Sequence, residues 1–303
     1  MLNLKGLIAA PFTPFTDDGE IMYEQISAYS EFLVRNQISG VFINGSTGET
    51  ASLTQKEKMK LTESWTSAIK GTPMKVITLV GGTSYHECVE NAMHGESYGV
   101  DAIAIVAPYY FKPAGPQQLA EFCAKIADKV PDLPVYLYHI PVLSGVNIPM
   151  YDFLKVAAPM IPNLAGVKYT HENFMDFLSC VNFEGGKYQM LGGYDEVLLP
   201  ALSVGCRSAV GSTFNYAAPL YRGIIDAFDS GDLDMARQLQ LKAIDMIRLL
   251  GKYGGIATGK AFMRYTGFEF GGFRLPVKSF DPSMYPQFKA DVQALHMEEW
   301  FSK

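Results

Sequence analysis

Eight short and continuously apolar runs recur along the 303-residue chain, and they limit the folds that it can adopt. The runs comprise residues 7–10, 41–43, 76–80, 102–106, 135–138, 164–169, 188–191 and 208–210. Continuous rather than alternating apolar residues indicate strands that are buried on both faces. Segments of helical periodicity separate the runs, and two of these segments begin with the capping-box pattern, at Thr54-x-x-Glu57 and Ser84-x-x-Glu87. The alternation predicts an α/β fold with eight parallel strands, the number that closes a (β/α)8 TIM barrel.

After the eighth run the pattern changes from alternation to consecutive helices. Residues 219–228, 233–250, 256–265 and 286–295 all have helical periodicity and are separated by glycine or proline breaks. We interpret the first of them as the last barrel helix. The sequence therefore predicts a barrel over residues 1–230 and a C-terminal helical extension, packed on the barrel, over residues 231–303. An open doubly wound sheet is the competing fold, but no Gly-x-Gly-x-x-Gly pattern follows the first strand to support it.

The composition favours a small-molecule partner. A formal net charge of −6 and the lack of any Lys/Arg run argue against nucleic acid or an anionic membrane as the main partner. The apolar runs are too short for a transmembrane helix, and the amino terminus lacks a signal-peptide pattern, so we expect a soluble, unprocessed, cytoplasmic protein. Neither the cysteines nor the histidines have metal-ligand spacing, which argues against a structural zinc site, a disulfide framework and metal-dependent catalysis. The residues concerned are Cys88, Cys123, Cys180, Cys206, His86, His94, His139 and His171.

Lys168 is the candidate residue with the clearest chemical argument. It lies near the end of the sixth apolar run. An isolated buried ammonium is costly, and the burial that penalises the charge also lowers the pKa of the amine, which makes it a nucleophile toward carbonyl carbon. Lowering the pKa from about 10.4 to roughly 7–8 would make much of the amine neutral at pH 7. The alternative is that Lys168 extends its ammonium to solvent at the strand end and has no catalytic role.

Other polar residues follow neighbouring strands, where the functional groups of a β/α barrel lie. In the Asn-Gly-Ser-Thr-Gly-Glu turn after the second strand, backbone N–H groups and the hydroxyls of Ser46 and Thr47 could hold a carboxylate, with an ordinary glycine-rich turn as the alternative. Tyr138 would lie beside Lys168 and could transfer a proton, or it could be a buried tyrosine with a structural hydrogen bond. His139 alternates with Tyr138, so we expect it on the opposite face as a packed, hydrogen-bonded histidine.

Three further strand ends carry polar or aromatic groups. After the seventh strand, Asp195 and Glu196 could accept hydrogen bonds from sugar hydroxyls, or they could serve as a helix N-cap and a favourable first-turn charge. Ser212 lies in a small polar turn after the eighth strand and faces the same barrel mouth. Tyr110 follows the fourth strand and is expected at the rim, without a catalytic role unless it enters the site of a neighbouring subunit.

Three motifs, in this order and spacing, resemble the pyruvate-dependent class I aldolase superfamily of N-acetylneuraminate lyase and dihydrodipicolinate synthase. The motifs are Gly-Ser-Thr-Gly-Glu at 45–49, Tyr-His-Ile-Pro at 138–141 and Gly-Val-Lys-Tyr-Thr at 166–170, and the resemblance covers nearly the whole chain. It implies a (β/α)8 barrel, usually a homotetramer, in which Lys168 forms a Schiff base with the keto carbon of pyruvate and no metal or organic cofactor is needed. It also implies that Tyr138 transfers protons and that Ser46 and Thr47 hold the pyruvate carboxylate. Thr47 would join Tyr138 and Tyr110 of a neighbouring subunit in a proton relay.

Within the superfamily, the remaining residues resemble the lyase branch. The synthase branch typically has an arginine after its tyrosine strand, where this chain has Leu143, and an uncharged residue there argues against an acidic semialdehyde as the second substrate. The residues that match sugar-binding positions of the lyase branch are Thr170, Gly193, Asp195, Glu196 and Ser212. The resemblance thus implies reversible cleavage of N-acetylneuraminate to N-acetylmannosamine and pyruvate. A further contact expected in the late helical region aligns poorly near residues 253–256 and is assigned to no residue.

Two alternatives remain open at this stage. Another pyruvate-dependent enzyme of the superfamily, either an aldolase for a 2-keto-3-deoxy sugar acid or a synthase like dihydrodipicolinate synthase, would use the same lysine and differ in its product. A non-catalytic sugar-acid-binding protein on the same barrel would bind its ligand without a covalent adduct.

Overall fold

The eight predicted strands form a closed parallel barrel in a computed structural model that describes residues 4–303. Each strand pairs with the next one along the chain, and β8 pairs with β1. The strands are β1 (Gly6–Ala9), β2 (Gly40–Ile43), β3 (Lys75–Leu79), β4 (Ala102–Val106), β5 (Val135–His139), β6 (Leu164–Tyr169), β7 (Gln189–Gly192) and β8 (Ser208–Gly211). The prediction of a (β/α)8 barrel from the spacing of the apolar runs is confirmed.

Helices follow the strands and surround the barrel. They are α1 (Gln25–Arg35), α2 (Gln55–Ala68), α3 (Tyr85–Ser97), α4 (Pro116–Ala127), α5 (Pro141–Ser144), α6 (Met150–Met160), α7 (Phe174–Asn182), α8 (Leu198–Ser203) and α9 (Phe214–Asp229). The capping box is complete at α2, where Thr54 and Glu57 each bond the other's backbone N–H. At α3, Ser84 accepts a hydrogen bond from the Glu87 N–H.

The last part of the chain forms three more helices. These are α10 (Leu233–Tyr253), α11 (Thr258–Met263) and α12 (Tyr285–Ala294), and the first of them packs on α9. The predicted division of the chain at residues 230 and 231 falls between α9 and α10, and it stays a prediction. Residues 1–3 of the predicted barrel range lie outside the described residues.

Alternation along the strands divides the side chains into two buried layers. One layer fills the barrel interior and the other lies between the strands and the helices. The interior layer includes Phe42, Tyr136, Tyr138, Leu191 and Val210. Each fully buried large apolar side chain contributes about 1.5–3 kcal/mol relative to its exposed state, so these layers hold the strand ends, and the groups on them, in fixed positions.

Among residues 4–303, no helix is both long and apolar enough to cross a membrane. The four cysteines are buried, and none of them forms a disulfide.

Candidate active site

Lys168 lies at the carboxyl end of the barrel, between two aromatic rings. The register between β5 and β6 pairs Tyr138 with Lys168, as the strand order predicted. The Lys168 Nζ lies 3.9 Å from the Tyr138 ring centroid and 4.0 Å from the centroid of Phe42, which comes from β2. The lysine is only 4% exposed. The alternative of an ammonium extended to solvent is therefore not the conformation that the structure describes.

Burial lowers the pKa of Lys168 to about 7, and the nearby Asp195 opposes that shift. No carboxylate among the described residues forms an ion pair with this amine, and the two rings supply only a weaker cation–π attraction. A substantial fraction of the amine is consequently neutral near pH 7. Burial also raises the pKa of the Tyr138 phenol to about 12, so this group carries its proton in the free protein.

The turn after β2 brings hydroxyl groups to the same place. The Ser46 Oγ lies 3.4 Å from the Tyr138 hydroxyl, within hydrogen-bond distance. Thr47 is buried and lines the same cavity. The Ser46 hydroxyl is therefore in contact with Tyr138, and the predicted place of Thr47 in a proton relay stays a prediction.

Asp195 is held beside the turn that follows β8. Its Oδ2 accepts hydrogen bonds from the Thr213 N–H at 3.0 Å and from the Thr213 hydroxyl at 2.6 Å. The Asp195 side chain thus bonds Thr213 and does not act as the N-cap of the helix that follows it, which was the alternative in the sequence analysis. Burial raises the pKa of Asp195 to about 7, against the effect of the two Thr213 bonds. From behind, Gln240 of α10 accepts from the Leu199 N–H and donates to the Asp195 carbonyl, which fixes this loop to the C-terminal helices.

Gly193 allows the strand ends of β6 and β7 to approach each other closely. A Cβ at this position would lie 1.9 Å from the Thr170 Oγ1, a distance that no side chain can occupy. The Thr170 hydroxyl is buried and has no hydrogen-bond partner among the described residues. It is thus available to a ligand in the cavity.

These groups surround one cavity of about 380 Å³. Nine of the ten predicted site residues line it, and they are Ser46, Thr47, Tyr138, Lys168, Thr170, Gly193, Asp195, Glu196 and Ser212. A larger groove of about 990 Å³ lies near Lys75 and Asp101, at the amino-terminal ends of the strands, and contains none of them. We take the smaller cavity as the candidate site because barrel enzymes place their chemistry at the carboxyl ends of the strands.

Tyr110 is the predicted residue that the cavity does not contain. It lies in the loop after β4, is 77% exposed and contacts the ring of Phe111. Its predicted role in the site of a neighbouring subunit stays a prediction. His139 lies outside the cavity and packs against Tyr169 and His171, on the face that the alternation predicted.

Several residues around the site were not identified from the sequence. Phe42, whose ring contacts Lys168, belongs to an apolar run in which nothing distinguishes it from the other core residues. The C-terminal segment contributes an apolar wall that includes Ile247, Leu250 and Ile256. Their helical spacing indicates only a buried face. Tyr253, in contrast, points its hydroxyl at Asp291 and does not line the cavity.

Comparison with known proteins identifies the family of the chain. A model of the dihydrodipicolinate synthetase family matches residues 3–295. The chain belongs to this family. The family consists of pyruvate-dependent class I aldolases that form a Schiff base, and the prediction of a carbon–carbon lyase of this class is confirmed.

Relatives in the dihydrodipicolinate synthetase family include lyases from vertebrates and bacteria. The chain is 36% identical over 297 residues to N-acetylneuraminate lyase of Gallus gallus, which covers 97% of this chain and 96% of the relative. It is 38% identical over 280 residues to N-acetylneuraminate lyase A of Xenopus laevis, with 91% and 92% covered. The structure of Proteus mirabilis N-acetylneuraminate lyase superposes with a TM-score of 0.92 at 37% identity, covering 96% of this chain and 98% of that one.

Proposed function

We propose that this protein cleaves N-acetylneuraminate reversibly to N-acetylmannosamine and pyruvate. The observation that carries the proposal is the buried Lys168 amine, which has a pKa of about 7 and contacts the ring of Tyr138 in a cavity of about 380 Å³. Relatives and solved structures named N-acetylneuraminate lyase support the choice of substrate.

The reaction begins at the lysine. The neutral Lys168 amine attacks the C2 carbonyl of open-chain N-acetylneuraminate to give a carbinolamine, and loss of water from it leaves an iminium. The turn that carries Ser46 and Thr47 holds the substrate carboxylate through hydroxyl and backbone N–H donors. The iminium is the electron sink for the next step.

Tyr138 gives its proton to the carbinolamine hydroxyl as water leaves, and the resulting phenolate, acting with the substrate carboxylate, then removes the proton of the C4 hydroxyl. The C3–C4 bond then breaks, its electron pair moves toward the iminium to form an enamine, and N-acetylmannosamine leaves. Protonation of the enamine at C3 gives the iminium of pyruvate, and water hydrolyses it to pyruvate and free Lys168. The hydroxyl of Ser46, 3.4 Å from the Tyr138 hydroxyl, is placed to pass a proton to or from the phenol.

The charges of the cavity favour a polyhydroxy aldehyde over an acidic one. The charged residues in its lining are Lys168, Asp195 and Glu196. Glu196 and the ionised fraction of Asp195 suit sugar hydroxyls as acceptors and would repel an acidic semialdehyde. Leu143 lines the cavity where the synthase branch is expected to have an arginine. These features weigh against a synthase like dihydrodipicolinate synthase.

We further propose that the enzyme works without a metal or organic cofactor, as a cytoplasmic homotetramer. Lys168 itself provides the electrophilic iminium, so the mechanism has no step that needs a metal. Exposed aromatic and aliphatic side chains, among them Tyr110, Phe111, Val142 and Leu143, would be covered by a neighbouring subunit. Light scattering would test the tetramer.

The test of the proposal is borohydride reduction in the presence of N-acetylneuraminate or pyruvate, followed by intact mass and peptide mapping. We expect a pyruvate-sized adduct on Lys168 and release of N-acetylmannosamine from unreduced samples. The buried Lys260 serves as an internal control and should carry no adduct. An adduct without release of N-acetylmannosamine, or with turnover of 2-keto-3-deoxygluconate instead, would show that the protein acts on the substrate of another enzyme in the family. Binding without any adduct would contradict the proposal.

A further inference from the structure

The turn that carries Ser46 and Thr47 lies between two non-glycine residues in the left-handed backbone conformation. Asn44 has a φ of 57° and Glu49 a φ of 64°. Asparagine tolerates this conformation, whereas it is unfavourable for Glu49 and persists there only where the surroundings hold it. The Asn44 amide group donates to the Lys58 carbonyl at 3.1 Å and lies within hydrogen-bond distance of two threonine hydroxyls. One end of the turn is therefore held by neutral hydrogen bonds.

The other end is held by a buried ion pair. The Glu49 Oε1 lies 3.1 Å from the Lys260 Nζ, and the two side chains are only 2% and 3% exposed. The Glu49 Oε2 accepts a hydrogen bond from the Arg274 backbone N–H at 2.7 Å. The Lys260 Nζ also donates to the Gly272 carbonyl at 2.6 Å and lies 4.5 Å from the centroid of the Phe15 ring. Both charges thus have several partners in one fixed arrangement.

The ion pair joins the active-site turn to the C-terminal part of the chain. Lys260 belongs to α11, and Arg274 lies in the irregular segment after it. The Arg274 guanidinium continues outward to the two Glu57 oxygens, at 2.6 and 2.9 Å. Glu49 does not line the cavity that contains Lys168, and neither does Lys260. The reaction described above uses neither residue.

Stability alone does not account for such a pair. Desolvation of two charges offsets much of their attraction, and a well-packed apolar pair of similar volume often serves the fold as well or better. An ion pair, however, fixes the orientation of both side chains. Within the turn, the Glu49 N–H donates to the Ser46 carbonyl at 3.1 Å, and the Thr50 N–H donates to the Gly45 carbonyl at 3.1 Å. A change in the backbone conformation at Glu49 would consequently move Ser46, whose carbonyl accepts the Glu49 N–H bond.

We propose that Glu49 and Lys260 are positioning residues for substrate binding. Their ion pair sets the conformation in which Ser46 and Thr47 meet the substrate carboxylate, and it makes residues 258–274 part of the support of the active site. This inference rests on the proposed function, because the carboxylate is that of pyruvate or of the sugar acid that contains it.

The test compares Glu49→Gln and Lys260→Met with the wild-type enzyme. The probe is pyruvate, and the readout is the pyruvate concentration at which half of Lys168 is trapped by borohydride, measured by intact mass. We expect this concentration to rise roughly tenfold or more, because a displaced Ser46–Thr47 turn binds the pyruvate carboxylate less tightly. At saturating pyruvate the adduct should still form on Lys168, and KM should change more than kcat. In the double variant the two effects should not add, because each substitution removes the same ion pair.

Asp176→Asn is the matched control. Asp176 is also a buried carboxylate that accepts two backbone N–H bonds, those of Met150 and Tyr151 at the start of α6. It accepts a third hydrogen bond from the Tyr169 hydroxyl, and it lies in the first turn of α7, not at the turn after β2. Its substitution should lower the thermal stability and leave half-saturation by pyruvate unchanged. If Glu49→Gln and Lys260→Met behave as Asp176→Asn does, the ion pair serves only the fold and the inference is wrong.

A measurement on the wild-type protein covers the case in which the variants do not fold. Because coupling between two sites is reciprocal, the trapped pyruvate adduct should slow hydrogen exchange in residues 258–274 and leave α3 unaffected. Unchanged exchange in residues 258–274 would overturn the inference. No adduct in the wild-type enzyme would remove the proposed function and this inference together. An adduct with unaffected variants and unchanged exchange would remove this inference alone.

Discussion

Lys168 and Lys260 are both buried lysines whose ammonium groups lie near two aromatic rings, yet their surroundings differ in one respect. Lys260 faces the Glu49 carboxylate and the Gly272 carbonyl, whereas Lys168 forms an ion pair with no carboxylate among residues 4–303. Burial lowers both pKa values, that of Lys168 to about 7 and that of Lys260 to about 8. Glu49 opposes the shift at Lys260 through both its charge and its hydrogen bond, while Asp195 opposes it at Lys168 only from a distance.

The comparison shows that burial by itself does not make a lysine a nucleophile. Lys260 keeps its proton because a carboxylate holds it, and its three donor positions are largely used by fixed acceptors. Lys168 has an open cavity on one side and no competing acceptor. The partner, rather than the depth of burial, therefore separates a structural lysine from a reactive one.

The largest expected effect comes from removing the reactive lysine. Lys168→Ala should abolish the formation of any borohydride-stable adduct and lower turnover by roughly 10⁵-fold or more, because no other group supplies the covalent intermediate. Steady-state release of N-acetylmannosamine and intact mass would measure both effects. Circular dichroism should remain that of the wild-type enzyme. Near-normal turnover in this variant would show that another residue forms the covalent intermediate, and Lys168 would then be no more reactive than Lys260.

Tyr138→Phe should have the next largest effect. It keeps the ring that faces the Lys168 ammonium and removes only the hydroxyl near Ser46, so the amine should retain its environment while proton transfer is lost. We expect kcat to fall by about 10²–10⁴-fold, as for the loss of a general acid–base group. Adduct formation with pyruvate at saturation should still be detectable. An unchanged kcat would make Tyr138 a packing residue whose hydroxyl has no part in the reaction.

Most of the barrel could be predicted from the sequence because its strands are buried on both faces. Continuous apolar runs at regular spacing leave few other folds, and strand order then brings Tyr138 and Lys168 together without further information. The sequence identified Asp195 as a candidate hydrogen-bond acceptor in the site, but it did not identify the residue that holds it. Thr213 comes from the next strand end, and only the closed barrel places it beside Asp195.

The residues that the sequence concealed act through long-range contacts. Glu49 and Lys260 are 211 positions apart and Arg274 lies farther still along the chain. In the sequence, Glu49 is the last residue of a short polar turn and Lys260 a cation within a helical pattern. Nothing local indicates that the two are buried against each other. The apolar wall from α10 was hidden for the opposite reason, because its residues have the spacing of any packed helix face.

Substitution of Lys260, the lysine of the ion pair, should lower the stability of the protein, whereas substitution of Lys168 should not. Lys260→Met leaves Glu49 buried without its cation, which we expect to cost about 3–5 kcal/mol and to lower Tm by several degrees.

Lys168→Met, in contrast, should keep or raise Tm at neutral pH. The pKa of Lys168 is lowered in the folded protein, so the unfolded chain binds more protons between about pH 7 and about pH 10 and wild-type stability rises with pH over that window. Lys168→Met lacks this contribution, and its advantage over the wild type should therefore shrink as pH rises. Calorimetry of both variants measures this difference in Tm, and equal losses of Tm in the two variants would contradict the prediction.

The smallest expected effect is a pH dependence of adduct formation, which shows whether the titration of Lys168 or that of Lys260 controls the reaction. At low pyruvate, the initial rate of adduct formation should follow the neutral fraction of Lys168, rising roughly tenfold from about pH 6 to about pH 8 and levelling above it. Trapping with cyanoborohydride and mass measurement would give this profile. Asp195 titrates in the same range, since burial raises its pKa to about 7, and its negative charge favours protonated Lys168. Asp195→Asn should therefore move the midpoint to lower pH, whereas Lys260→Met should leave it in place because Lys260 lies outside the cavity. A midpoint that moves in Lys260→Met and not in Asp195→Asn would show that the paired lysine controls the reaction.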